Sequence, residues 1–170
     1  MSEAIARLFD TYAEASRAVE ALKHAGIPEA DISIVANSES YVDQNGGTEG
    51  EAGTGAGIGG SVGAGVGLLA GLGMLAIPGL GPVVAAGWLA STAVVAAVGA
   101  VAGGVIGALV DSGVPEGDAR FYAESIRRGA TLVTVRTEEP YHIEAILRTH
   151  ASVDVAERRN RYVESGWPGI

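Results

Sequence analysis

The sequence predicts an α+β protein in which a ferredoxin-like βαββαβ domain is interrupted by a long glycine-zipper helical hairpin. Two observations support this fold class. Strand and helix patterns alternate in both flanks of the chain, and the 59 residues between Glu51 and Asp111 contain no charged side chain. The predicted organisation is a first half of the ferredoxin-like domain at 1–50, the hairpin at 51–112, the second half of the domain at 113–157, and a C-terminal tail at 158–170.

The first flank has the pattern strand, helix, strand. Residues 5–9 form a short apolar segment typical of a strand, and Thr11 with Glu14 makes a capping box that opens a helix ending near Ala25. The branched side chains of residues 32–36 predict a second strand. This flank therefore supplies the first βαβ unit.

The second flank begins with a helix at 115–128, which Gly129 ends. A strand at 131–137, a helix at 141–150 and a short strand at 153–155 follow. When the insert and the helix at 115–128 are set aside, the two flanks together give βαββαβ. This order predicts a four-stranded antiparallel sheet with two helices on one face.

The uncharged run carries glycine at every fourth residue in two series, which places the glycines of each series on one face of a helix. Large apolar side chains stabilise the buried face of a helix in a soluble core, and each glycine there costs about 1 kcal/mol relative to alanine. In lipid, small residues instead let two helices approach closely. These positions are therefore predicted to mediate helix packing and homo-oligomerisation: Gly55, Gly59, Gly63, Gly67, Gly71, Gly99, Gly103 and Gly107.

The length of the run suits two membrane-spanning helices. Helices at 54–77 and 83–110 would be roughly 36 and 42 Å long, enough to cross a hydrocarbon core of about 30 Å. A hairpin returns the chain to its starting side, so both flanks can complete one sheet. The alternative is a hairpin that packs against copies of itself in a soluble assembly. The predicted turn residues are Pro78, Gly79, Gly81 and Pro82.

Four residues are candidates for contact with lipid headgroups. Trp88 lies just beyond the predicted hairpin turn, where it either anchors the tip at the far interface or fills space beside a neighbouring helix. Arg158, Arg159 and Arg161 form a basic cluster that either meets anionic headgroups or lies on a solvated tail helix. The predicted location is the bacterial inner membrane with the soluble domain in the cytoplasm, and the alternative is the cytoplasm. The flanks of the run carry no positive-inside signal, so orientation stays open.

Composition argues against several function classes. The formal net charge of -9 leaves no basic face for nucleic acid, and the absence of cysteine removes thiolate chemistry. His24, His142 and His150 are spaced as solvated helix residues rather than as metal ligands. We therefore expect no enzymatic activity, no catalytic residue, no metal and no cofactor.

Several motifs together suggest a family. They are Leu8-Phe9-Asp10 before an Ala/Glu-rich helix, the break at 77–82, Gly113-Val114-Pro115-Glu116, the strand segment 129–135 and the closing Gly166-Trp167. With these motifs the chain resembles the bacterial general stress protein 17M or YflT-like proteins, which have a central glycine-zipper segment. The resemblance implies a stress-associated, membrane-linked protein without known catalytic residues.

The leading hypothesis is a non-enzymatic, self-assembling stress protein whose glycine-zipper hairpins pack into a homo-oligomer in the membrane. The partners would be other copies of the chain and membrane lipid. A soluble cage or filament with the hairpins packed inside is the alternative. A pore ranks lower because few polar residues would line it, and a small-ligand sensor built on the sheet has no binding signature in the sequence.

Overall fold

The computed structural model of the protein contains one antiparallel sheet packed against helices. It describes residues 3–37, 73–77, 81–89, 104–150 and 153–169. The strands are β1 (Glu3–Phe9), β2 (Ile32–Asn37), β3 (Gly73–Ile77), β4 (Gly81–Gly87) and β5 (Thr131–Thr137). The helices are α1 (Tyr12–His24), α2 (Gly104–Asp111), α3 (Glu116–Arg127), α4 (Pro140–His150) and α5 (Val155–Glu164), and a short 3-10 helix spans Glu29–Asp31.

The five strands form one sheet in the order β1-β5-β2-β4-β3, and every neighbouring pair is antiparallel. Strand β5, from the second half of the chain, lies between β1 and β2 from the first half. The two flanks therefore build one sheet, and the α+β class is confirmed. The β3–β4 hairpin extends this sheet beyond β2.

Helix α1 begins as the sequence predicts. The Glu14 backbone amide donates to Thr11 Oγ1 at 3.2 Å, and the Thr11 amide donates to Glu14 Oε2 at 3.3 Å. These two bonds satisfy backbone groups that a helix N-terminus otherwise leaves unpaired. The capping box is confirmed, and it fixes the point at which the chain turns from β1 into α1.

Helices cover both faces of the sheet, because alternate residues of each strand point to opposite sides. Helices α1 and α4 cover one face, as predicted, and α2, α3 and α5 cover the other. The first face buries Phe9, Val19, Leu22, Val133, Val135, Ile143 and Leu147. The second buries Leu8, Trp88, Leu89, Leu109, Phe121, Ile126 and Leu132.

The predicted fourth strand at 153–155 is wrong. Val153 and Asp154 precede α5, and Asp154 caps this helix by accepting the backbone amide of Glu157 at 2.9 Å. A side-chain oxygen at an N-cap satisfies a helix amide directly, so it outweighs the strand preference of two valines. The complete ferredoxin-like pattern is therefore not present in the described residues, although its first three strands and two helices are.

The predicted helices at 54–77 and 83–110 are wrong at residues 73–77 and 81–87, whereas α2 coincides with the end of the predicted second helix. Residues 73–77 and 81–87 are strands, paired from Gly73 with Ala85 to Ile77 with Gly81. Strand β4 also pairs with β2. The backbone of β2 offers hydrogen-bond partners that an isolated helical arm lacks, and Pro82 near the start of β4 favours an extended chain.

The structure describes only some of the predicted packing and turn residues. Among them, Gly107 lies in α2, where an added Cβ would have no neighbour within 4 Å, and Gly81 and Pro82 begin β4 instead of breaking a helix. Within the described residues, no helix is both long and apolar enough to cross a membrane. The other positions lie outside the described residues: Gly55, Gly59, Gly63, Gly67, Gly71, Gly99, Gly103, Pro78 and Gly79.

Gly87 is the point at which the hairpin depends on glycine. It has φ +89° and pairs with Ser33, and an added Cβ would lie 2.0 Å from the Ile32 carbonyl oxygen. Both the positive φ and this backbone contact exclude a side chain. The junction between β4 and β2 therefore requires the absence of a Cβ.

Gly87→Ala should lower the free energy of unfolding by at least about 2 kcal/mol, because strain and a backbone clash add together. The matched control is Gly107→Ala, which should raise it by about 1 kcal/mol because alanine favours an open helix position. Thermal unfolding followed by circular dichroism measures both changes. A Gly107→Ala variant with a lower free energy of unfolding, or a Gly87→Ala variant with an unchanged one, would contradict the contacts described for these two glycines.

Candidate functional site

Trp88 joins the β3–β4 hairpin to the rest of the fold. Its side chain is only 8% exposed, and the guanidinium carbon of Arg136 lies 5.0 Å from its ring centroid. Arg136 also donates to Asp31 Oδ1 and to the Ala30 carbonyl oxygen, both at 3.2 Å. The Trp88 ring is therefore buried against the sheet and a cation from β5, and its predicted headgroup contact stays a prediction.

A groove of about 320 Å³ opens beside this junction. Two of its charged groups, Arg136 and Asp31, already bond each other, and the Arg136 guanidinium also bonds a backbone carbonyl. An anion entering the groove would have to compete with both contacts, which weakens the groove as a binding site. The residues that line it are Ile27, Pro28, Asp31, Arg136, Thr137 and Glu138.

The arginines of the basic cluster near the C-terminus form ion pairs within the fold. Arg158 bonds Asp10 at the end of β1, and Arg159 bonds Asp118 on α3 at 2.5 Å. Arg161 bonds Glu157 within α5 at 3.2 Å. Arg158 and Arg159 thus dock α5 onto β1 and α3. The predicted contact of these three arginines with lipid headgroups stays a prediction, and the structure adds that each one pairs with an acid, in two cases an acid far away along the chain.

Aromatic rings complete the docking of α5. The ring centroids of Phe121 and Tyr162 are 5.7 Å apart, and Trp167 lies 6.1 Å from Phe121 and 6.4 Å from Tyr162. The guanidinium carbon of Arg128 lies 4.3 Å from the Tyr162 centroid, and that of Arg159 lies 4.9 Å from the Phe121 centroid. Stacked cations and aromatic rings add to the burial of apolar area. Sequence reasoning missed this cluster, although the closing Gly166-Trp167 motif belongs to it.

Glu124 is the buried acid of this region, with 9% of its side chain exposed. Arg127 donates to both of its oxygens, at 2.8 and 2.7 Å, and Arg128 donates at 2.5 Å. Burial alone would raise the pKa of Glu124, but the hydrogen bonds and charges of the two arginines outweigh it and hold the pKa below its ordinary value. The carboxylate is therefore a structural anchor that stays ionised.

The pKa values of Tyr122 and Glu144 also depart from their ordinary values. Burial, with the negative charge of Asp118, raises the pKa of Tyr122, whose hydroxyl donates to the Ala6 carbonyl oxygen at 3.4 Å. A hydrogen bond from Arg148 and the charge of Arg7 lower the pKa of Glu144. Each shift is explained by a contact that holds elements together.

The two strands at the ends of the sheet differ in charge. Strand β1 contains Glu3 and Arg7, and Arg7 forms an ion pair with Glu144 on α4. Strand β3 reads Gly-Met-Leu-Ala-Ile and contains no charged residue and no proline. Charged side chains on an edge strand discourage pairing with another chain, and an uncharged edge permits it. The outer edge of β3 is therefore the candidate interaction site.

The described residues contain no group of three or more histidine, aspartate or glutamate side chains that could hold a metal ion. His24 lies at the end of α1, whereas His142 and His150 lie two turns apart on α4. The structure thus brings none of the three histidines together.

Comparison with known families supports the resemblance. Residues 4–79 match the family model of the heat-induced stress protein YflT domain. The matched segment runs from β1 through α1 and β2 and includes β3, so the resemblance to YflT-like proteins is confirmed over this part of the chain. No curated protein and no solved structure matches the chain.

Glu124→Gln should reduce the free energy of unfolding at neutral pH by about 1–3 kcal/mol, because the three hydrogen bonds that two arginines donate to the carboxylate weaken. The lowered pKa means that the wild-type carboxylate stabilises the fold above the ordinary glutamate value of 4.5 and loses this contribution as pH falls through the folded-state pKa. The difference between the two proteins should therefore shrink on acidification.

Glu157→Gln is the control, because its ion pair with Arg161 is 69% and 58% exposed. This change should cost no more than about 0.5 kcal/mol at any pH. Urea unfolding at a series of pH values measures all three proteins. If the free energy of unfolding of Glu124→Gln differs from that of the wild type by the same amount at every pH, the ionised state of the Glu124 carboxylate is contradicted.

Proposed function

We propose that the chain is a non-enzymatic, stress-associated protein that self-assembles through its uncharged run. The observation that carries this proposal is the place of the run in the fold. Strands β3 and β4, which come from the middle of the run, extend the central sheet, and Trp88 with α2 packs on one of its faces. The described parts of the run therefore belong to the folded domain, and the domain can present the run to other copies.

The stress-associated role is supported by the match to the heat-induced stress protein YflT domain. The match includes both the first βαβ unit and the first part of the uncharged run. A family pattern that crosses from the folded flank into the run supports a common role for these two parts.

Self-assembly is supported by the distribution of charge. The chain has a formal net charge of -9, yet residues 52–110 contain no charged group. A long uncharged segment on an acidic protein is favourable where another apolar surface covers it, because contact removes apolar area from water. The regular glycine spacing from Gly55 to Gly71 would let two backbones approach closely at such a contact.

The non-enzymatic part of the proposal rests on the use of charged groups in the described residues. Arg7, Arg136, Arg158 and Arg159 each bond an acid on another element, and Glu124 holds two arginines. Perturbed titration usually marks a reactive site when the group lies in a cleft. Here the shifts arise at packing contacts.

A membrane-attached form is the second candidate, with the α+β domain in the cytoplasm of a bacterial cell and the run at the inner membrane. The observation that favours it is the uncharged segment 52–72 before β3, since its 21 residues match the roughly 20 that one membrane crossing needs. Partition of a cell lysate followed by a carbonate wash separates the two candidates. Retention in the washed membrane pellet favours the membrane form, and release into the supernatant favours a soluble assembly.

Self-assembly predicts that the purified full-length chain sediments as an oligomer in analytical ultracentrifugation. Replacing Gly63 and Gly67 together with leucine should shift it to smaller species, because larger side chains prevent close backbone contact. Gly117→Ala is the matched control, because Gly117 lies on α3 outside the uncharged run and an added Cβ there has no neighbour within 4 Å, so the oligomer should keep its size. A wild-type chain that remains monomeric over the accessible concentration range would overturn the proposal.

A further inference from the structure

We propose that two copies of the chain pair through the outer edges of their β3 strands, antiparallel, so that two five-stranded sheets become one sheet of ten strands. This inference rests on the proposed self-assembly and assigns its contact surface. It concerns the backbone edge of Gly73–Ile77 and does not depend on the glycine series of the run.

The position of β3 determines what kind of element can cover it. Strand β3 is the last strand in the sheet, and in the described part of the chain it pairs with β4 on one side only. Alternate residues of such a strand direct N–H and C=O groups away from the sheet. These groups need hydrogen-bond partners at the spacing of an extended chain, so another strand is the element that satisfies them in a row.

The opposite end of the sheet is less suited to pairing. Strand β1 carries Glu3 and Arg7, and the ion pair between Asp10 and Arg158 ties the end of β1 to α5. Tyr122 further connects α3 to the Ala6 carbonyl oxygen of this strand. Strand β3, at the other end of the sheet, has no charged residue, so a strand that pairs with it does not approach a charged side chain of β3.

Charge also favours a second copy as the occupant. Two copies that each carry a formal net charge of -9 repel one another over most approaches. Strand β3 lies within the 59 uncharged residues, so contact there keeps charged side chains out of the interface. Residues 52–72, which precede β3 in the chain, are also uncharged.

Strand β3 is complementary to itself. An antiparallel pair related by a two-fold axis at Leu75 places Leu75 beside its own copy, Met74 beside Ala76, and Gly73 beside Ile77. None of these pairs opposes like charges or leaves a polar side chain in the contact. The strand is also held firmly for such pairing, because β4 connects it to β2 and Gly87 lets β4 approach β2 closely.

The test uses the absence of cysteine from the chain. Leu75→Cys in the full-length protein should form a disulfide-linked dimer on mild oxidation, because directly opposed Cβ atoms in an antiparallel pair lie about 4.5–5.5 Å apart. Met74→Cys and Ala76→Cys cover a shift of the axis by one residue. Ala4→Cys reports pairing through β1, and Tyr141→Cys, at an 88% exposed position, reports random collision.

The proposal expects rapid dimer formation by at least one of the three β3 cysteines and slow formation by both controls. Leu75→Lys should weaken association by about tenfold or more, since two like charges then lie side by side at the axis. The cysteine series decides the question if the lysine variant does not fold, because cysteine is small and uncharged.

The outcomes separate the two proposals. If the wild type is an oligomer but no β3 cysteine crosslinks faster than the controls, or if Ala4→Cys crosslinks fastest, pairing through β3 is wrong while self-assembly stands. If Leu75→Lys folds and assembles as the wild type does, the β3 contact is likewise overturned. A monomeric wild type overturns self-assembly and the β3 contact together.

Discussion

Strand β5 holds the two ends of the chain together, because it pairs with β1 along Glu3–Phe9 on one side and with β2 on the other. Its partners come from the first 37 residues, whereas β5 follows the entire uncharged run. The sheet can form only when the run lets both flanks meet. Both cores depend on this pairing, since Val133 and Val135 lie under α1 and α4 while Leu132 lies under α3.

The edge of β2 that does not pair with β5 determines the conformation of the middle of the run, because β4 pairs there. An edge strand with a free row of backbone groups is a template for a further strand, and β4 takes this place with Gly87 at its end. The core on the second face then includes Trp88, Leu89 and Leu109. The run therefore contributes apolar area to the domain, and a chain without residues 39–110 would expose both the β2 edge and part of that core.

All charged side chains lie in the two flanks and none in the uncharged run, so these parts of the chain have different roles. Arginines at both ends of the chain bond acids on other elements, and the ion pair from Arg158 to Asp10 connects residues 148 positions apart. These bonds close the fold without leaving a basic surface. The uncharged run meets the sheet at β3, which makes this edge the place where the acidic protein can meet another copy at low electrostatic cost.

The sequence by itself determined the features that depend on neighbouring residues. The Thr11–Glu14 capping box, the strand at 131–137 and the glycine that ends α3 depend on residues within a few positions, so the pattern predicts them and the structure confirms them. The YflT-like resemblance is likewise a property of the sequence. The α+β class follows from these elements in order.

Only the tertiary structure decided the features whose partners are distant. Residues 73–77 and 81–87 have the apolar content of a helix or of a strand, and the free edge of β2 selected the strand conformation. Residues 153–155 have the branched side chains of a strand, but the Asp154 cap and the rings of Phe121 and Trp167 placed them at the start of a helix. Local pattern states which conformations a segment can adopt, whereas hydrogen-bond partners and apolar surfaces from remote parts of the chain select one of them.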